Sequence, residues 1–145
     1  MARRFPEIVT YKSAFSFALE VERACADFAA AAEVPAPTGA WQAKLEELVC
    51  THDDRVDKLS RKRPDVDEPL HTLEGGAYLE TLGSEPATSW PAAVEQVIGA
   101  EEDAARYHEA FAAACGPLLG DTARAFAKSA KQERAAGQEL RAMLG

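Results

Sequence analysis

Four side chains that are able to bind metal lie in the middle of otherwise apolar helical stripes. They are Glu22, His52, Glu101 and Glu133. Burying three carboxylates together without a cation is costly, or raises their pKa values until some of them take up protons. A divalent metal removes that cost, and carboxylate oxygens combined with an imidazole nitrogen suit iron, manganese or zinc. If these side chains converge, the sequence predicts a metal site.

These residues follow a twofold pattern with two gaps. Corresponding positions lie 79 residues apart (101 − 22) in one pair of segments and 84 residues apart (133 − 49) in the other. A carboxylate helix followed by a Glu-x-x-His helix, used twice, builds the metal site of some four-helix bundles. Here one Glu-x-x-His lacks its Glu and the other lacks its His. The corresponding pairs are Glu22 with Glu101, Val49 with Glu133, and His52 with Ala136.

Helical periodicity dominates the rest of the chain, and no strand pattern competes with it. Ser13 and Asp121 are the predicted N-caps of the first and last helices, and Ser89-Trp90-Pro91 starts the third. We predict an all-α four-helix bundle of two antiparallel hairpins with an internal two-fold repeat, forming a single domain over 1–145. The predicted helices cover 13–33, 38–63, 90–115 and 121–143.

A long connection, 64–88, separates the two halves. A link of that length can cross from one end of a bundle to the other. Its apolar residues are expected to pack it along the helices. They are Leu70, Leu73, Tyr78 and Leu82.

Charge and composition exclude several partners. The chain has 16 basic and 24 acidic residues, a net charge of −8, which argues against nucleic acid and against an anionic membrane surface. No stretch approaches the roughly 20 apolar residues of a membrane span. The basic start is not followed by the apolar region of a secretory signal, so a cytoplasmic location is expected. Three cysteines without Cys-x-x-Cys spacing argue against a disulfide framework and a structural zinc site.

The chain resembles the rubrerythrin/ferritin-like superfamily of di-iron carboxylate proteins. The resemblance rests on four stretches, Leu19–Phe28, Leu48–His52, Ala100–His108 and Lys131–Ala136. It implies a four-helix bundle with a crossover connection, often dimeric, that reacts with oxygen or peroxide at two irons. A homodimer is therefore expected, and a separate protein would have to donate electrons if the site is redox active.

Carried over residue by residue, the resemblance makes Glu22 and Glu101 terminal ligands, Glu133 a bridging carboxylate and His52 the single imidazole. The valine at position 49 cannot bridge and the alanine at position 136 cannot ligate. We therefore expect one ion, of iron, manganese or zinc, rather than two.

Two further residues lie on the same stripes. His108 follows Glu101 by seven residues, about 10 Å along the axis, so a supporting hydrogen bond is a better prediction than ligation. Cys25 lies three residues after Glu22 and could act as an accessory ligand, although a small core residue is the more usual role. No catalytic residue can be assigned.

Two classes of function remain open. One is a ferritin-like metalloprotein in iron handling or in peroxide or oxygen chemistry, which would make any enzyme activity that of an oxidoreductase. The other is a metal-free bundle that has lost its site and acts as a dimeric or partner-binding module. In that case the buried carboxylates would pair with arginines turned inward, and His52 would bond to a carboxylate. The arginines considered are Arg23, Arg106 and Arg134.

Overall fold

Four α-helices make up most of the protein. The computed structural model describes residues 4–32, 39–65, 67–116 and 118–144. The helices are α1 (Tyr11–Ala31), α2 (Gly39–Ser60), α3 (Ala92–Cys115) and α4 (Gly120–Leu144), with a 3-10 turn at Gly75–Tyr78. Within the described ranges there is no strand, only an isolated bridge between Thr10 and Pro69. The prediction of an all-α four-helix bundle is confirmed.

The helices pack as antiparallel neighbours. α1 packs on α2 and on α3, and α3 packs closely on α4. Tyr11, at the start of α1, donates to the carbonyl of Ala114 at the end of α3, at 3.2 Å. At the other end of α1, the Cys25 thiol lies 3.6 Å from the carbonyl oxygen of Ala100. The two helices therefore run in opposite directions.

The helix ends differ from the predicted ones in their capping. Thr10, not Ser13, is the N-cap of α1: its side chain accepts from the Ser13 amide at 3.2 Å, and the Ser13 hydroxyl accepts from the Thr10 amide at 2.9 Å. This reciprocal capping box starts the helix earlier than predicted. Asp121 lies inside the first turn of α4 rather than at its cap. The predicted end of the first helix at position 33 and the predicted start of the second at position 38 lie outside the described residues.

The third helix also starts differently. Pro91 occupies its N-cap position, and no side chain caps the helix there. Instead, the amide of Ala93 donates to the backbone carbonyl of Ser89 at 2.8 Å. Ser89 therefore contributes its backbone rather than the predicted side-chain cap.

The connection between α2 and α3 packs against the helices, as predicted. Leu70, Leu73 and Leu82 are buried in the core. Asp103 of α3 fixes the connection, because its Oδ2 accepts hydrogen bonds from the amides of Thr81 at 2.7 Å and Leu82 at 3.1 Å. These bonds hold the second half of the connection on α3.

The core is rich in aromatic rings next to the polar cluster. The Phe126 ring lies 5.1 Å from the His108 ring and 4.9 Å from the Phe111 ring, measured between centroids. Phe17 and Phe111 are buried within this one chain. Among the described helices, none combines the length and apolar character that crossing a bilayer requires.

Candidate metal centre

The four residues singled out from the sequence come together inside the bundle. Each helix contributes one of them, because each lies at the middle of the stripe that its helix turns toward the core. Each residue is at most 1% exposed. In the order of the helices they are Glu22, His52, Glu101 and Glu133.

His52 lies between two carboxylates. Its Nδ1 is 2.5 Å from Oε2 of Glu22, and its Nε2 is 2.7 Å from Oε1 of Glu101. Only a protonated imidazole donates from both nitrogens. Burial alone would lower the pKa of His52, but the negative charges of Glu101 and Glu22 raise it to about 10. His52 is therefore a cation in this arrangement.

Glu22 contacts two imidazoles, one with each oxygen. While Oε2 faces His52, Oε1 lies 2.9 Å from Nε2 of His108. Burial opposes ionisation, but attraction to His52 and hydrogen bonds with His108 and His52 hold the pKa of Glu22 well below its usual range. The hydrogen bond predicted for His108 is thus present, and this side chain belongs to the cluster. Its Nδ1 is buried and has no hydrogen-bond partner.

Of the three carboxylates in the cluster, Glu133 accepts the fewest hydrogen bonds. Neither of its oxygens accepts a hydrogen bond, and Oε2 of Glu101 accepts none either. The nearest cation is Arg55, whose Nη1 lies 3.3 Å from Oε2 of Glu133. Burial, reinforced by the negative charges of Glu22 and Glu101, raises the pKa of Glu133 well above its usual range. These three buried oxygens therefore lack a donor, and at Glu133, where the raised pKa favours the protonated form, a metal ion would have to displace the proton.

Arg55 is the cluster residue that sequence reasoning missed. Its Nη1 lies 3.5 Å from Oε2 of Glu22 and 3.4 Å from Nδ1 of His52, and its Nη2 donates to Gln132 at 3.1 Å. Arg55 follows His52 by three residues, which places both on one helix face. That spacing, together with the excess of buried carboxylates, was the available signal.

The three arginines considered for this role turn outward instead. Arg23 pairs with Glu20, Arg106 with Asp103 and Arg134 with Glu109, and all three are substantially exposed. Their helical positions point them off the core-facing stripe. The idea that they neutralise the buried carboxylates is wrong, and Arg55 takes that place.

Two overlapping groups within the cluster are able to hold a metal ion. The ligand atoms of each group lie within 4.8 Å of one another, and the groups share Glu133. Two ligands on one ion lie at most about 4.6 Å apart, so only small side-chain adjustments are needed. The first group is Cys25, His52, Glu101 and Glu133, and the second is Glu22, His108 and Glu133.

Cys25 enters the first group as a protonated thiol. Burial, and then the negative charges of Glu101 and Glu133, raise the pKa of the Cys25 thiol well above its usual range. A thiol ligates metal as the thiolate. Cys25 is therefore a weaker ligand than the carboxylates unless the ion itself displaces the proton.

A cavity of about 390 Å³ opens between α2 and α4 beside the cluster. Arg55 and Gln132 lie in its wall, and Arg55 also touches Glu22 and Glu133. The cavity thus adjoins the buried carboxylates through Arg55.

The protein is therefore a helical bundle whose buried Glu and His side chains are compatible with a metal site. Comparison of the chain with protein-family models, with curated proteins and with solved structures found no match.

Proposed function

We propose that this protein is a ferritin-like metalloprotein that binds one divalent ion of iron, manganese or zinc in the buried cluster. The proposed ligands are Glu22, His52, Glu101 and Glu133. His52, Glu101 and Glu133 lie in one of the two ligand groups, and Glu22 lies with Glu133 in the other. The observation that carries the proposal is the set of buried oxygens on Glu101 and Glu133 that accept no hydrogen bond. Such atoms cost free energy unless a partner satisfies them. A cation bound between them supplies that partner.

The arrangement of the connection supports the ferritin-like topology. It starts beside α1, where the amide of Leu70 donates to the carbonyl of Val9 at 2.9 Å. It ends at Trp90, whose ring lies 6.3 Å from that of Trp41 near the start of α2. Since α1 and α2 are antiparallel, these two contacts lie at opposite ends of the bundle. In our proposal the connection is the crossover of a ferritin-like bundle.

Bound iron or manganese would supply redox chemistry with oxygen or peroxide, which places the proposed role in iron handling or peroxide chemistry. The chain's own residues would bind and orient the ion and shield it from water. The Phe126 ring borders the imidazole of His108, and the Phe111 ring packs against Phe126. The cavity between α2 and α4 is the proposed route of entry, with Arg55 at its inner end.

Metal binding should raise thermal stability, because an ion held only by the folded state stabilises that state. At a free metal concentration of 100 times the dissociation constant, the gain is about 2.7 kcal/mol, or about 8 °C in Tm for a chain of this size. We expect protein purified without chelator to contain metal. His52→Ala should lose the metal and the shift, while His71→Ala, at an exposed position, should keep both.

Metal analysis, together with calorimetric melting with and without EDTA, tests this prediction. Absence of metal after loading with iron, manganese and zinc, with an unchanged Tm, would reject the proposal. Equal loss of metal in both histidine variants would reject the assignment to His52.

One observation favours the second candidate, a metal-free bundle that acts through association. Arg55 and protonated His52 supply two positive charges inside the cluster, and protonation of Glu133 leaves two negative ones. The cluster is then neutral by itself. The metal-loading experiment distinguishes the two candidates, because only the first binds an ion.

A further inference from the structure

We propose that the guanidinium of Arg55 stands in for a second metal ion, so that a latent site formed by Glu22, His108 and Glu133 accepts metal only when that charge is removed. This inference rests on the proposed function. It concerns how many ions the cluster takes, and it assigns His108 to a second site.

Arg55 contacts both carboxylates that the latent site would use. Its Nη1 lies 3.5 Å from Oε2 of Glu22 and 3.3 Å from Oε2 of Glu133. The side chain is only 8% exposed, so water screens its charge little. A single buried cation thus joins two carboxylates, which is the position a bridged metal ion takes.

The other oxygens of the same two carboxylates face His108. Its Nε2 lies 2.9 Å from Oε1 of Glu22 and 3.4 Å from Oε1 of Glu133, and the residue is fully buried. The missing imidazole of the twofold pattern at Ala136 therefore has a replacement on α3. His108 reaches across to α1 and α4 rather than along its own helix to Glu101.

Charge balance explains why Arg55 limits the cluster to one ion. Glu22, Glu101 and Glu133, Arg55 and one divalent ion sum to zero when the histidines are neutral ligands. A second divalent ion would leave two uncompensated positive charges in a buried site, which is strongly unfavourable. Without the guanidinium, one of those charges disappears, and the carboxylates that it held become free to bridge.

Counting bound ions tests the inference. Isothermal titration with Zn²⁺, checked by metal analysis after desalting, should give one equivalent for the wild-type protein and two for Arg55→Met. The double variant Arg55→Met/His108→Ala should return to one. Lys58→Met, at an exposed lysine of the same cavity wall, and Arg55→Lys, which keeps the charge, should both stay at one.

The outcomes distinguish failure of the role given to Arg55 and His108 from failure of the proposed metal binding. One equivalent in Arg55→Met, two in the wild type, or two in the double variant would overturn the role given to Arg55 and His108 while leaving the proposed function intact. A wild type that binds none of Zn²⁺, Mn²⁺ and Fe²⁺ would remove the proposed function itself. If circular dichroism shows that Arg55→Met does not fold, Arg55→Gln makes the same change in charge with a polar side chain and carries the same expectation.

Discussion

Glu22 is the residue around which the charges of the cluster are arranged. One of its oxygens faces His52 and Arg55, and the other faces His108. The three groups come from two other helices, so this one carboxylate joins α1 to α2 and α3. An apolar residue at this position would leave buried donors without an acceptor, which is a severe cost.

The sequence predicted which stripe residues meet but not every side chain that joins them. The central Glu and His residues could be identified because helical periodicity fixes which face of a helix is buried. Arg55 was missed because an arginine three residues from a histidine is ordinarily solvated, and only its buried counter-charges turn it inward. The distance predicted for His108 was the one to Glu101 on the same helix. Its partner in the structure is Glu22, which lies on the antiparallel neighbour α1.

The affinity for metal should rise with pH. His52 must give up a proton to become a ligand, and its pKa is raised to about 10 by Glu101 and Glu22 against the effect of burial. Below that pH, a proton must leave His52 before the ion can bind. For each proton released, the affinity falls about tenfold for every pH unit lowered. Between pH 6 and pH 8 we expect the Kd for Zn²⁺ to fall at least about 100-fold.

Titrations in two buffers of different ionisation enthalpy would count the protons released. Binding that releases no proton, with a Kd independent of pH, would contradict this assignment of His52.

At the scale of elements, the helices could be predicted from the sequence. The hydrogen bonds that hold the connection on α3 could not. Runs of alanine and apolar stripes specify α1 and α3 locally. The role of Asp103 was hidden, because it stands in an acidic run beside Glu101 and Glu102 and looks like an exposed residue. Its partners are backbone amides of the connection, more than 20 residues earlier in the chain, and no local pattern reports such a contact.

Replacing Asp103 with alanine should loosen the connection without dissolving the helices. The amide of Leu82 would lose its acceptor in a buried setting, at a cost of about 3 kcal/mol. We expect the urea midpoint to fall, and hydrogen exchange at Thr81 and Leu82 to accelerate more than exchange at the centre of α3.

Asp57→Ala is the matched control, since Asp57 also pairs with an arginine close in sequence, Arg61 just beyond the end of α2, but is 66% exposed. That change should cost less than about 0.5 kcal/mol. Equal effects from the two variants would show that Asp103 acts only through its salt bridge.

At the scale of the whole molecule, an apolar core surrounds a buried polar cluster. Rings and aliphatic side chains fill most of the interior, and the cluster holds cations of its own, Arg55 and His52. The bundle as a class followed from the sequence, because four apolar stripes must be buried against one another. The charge balance inside the cluster did not follow from the sequence, since it depends on distances between helices.

The protein should therefore remain folded when metal is removed. In excess EDTA we expect the helical circular dichroism signal to be unchanged at 25 °C, with a single cooperative melting transition shifted to lower temperature. Small zinc domains behave in the opposite way, because their metal supplies the folding free energy. Loss of helix on chelation would show that the cations of the cluster do not balance its carboxylates.

The guanidinium inside the bundle also has a consequence for the metal-free protein. If the cluster binds metal as proposed, a newly made copy can fold before an ion arrives, because Arg55 already faces the buried carboxylates. Proteases would then cleave unloaded copies faster than loaded ones, since bound metal lowers the population of open forms. Starvation for metal would leave a smaller, folded pool that can still be loaded.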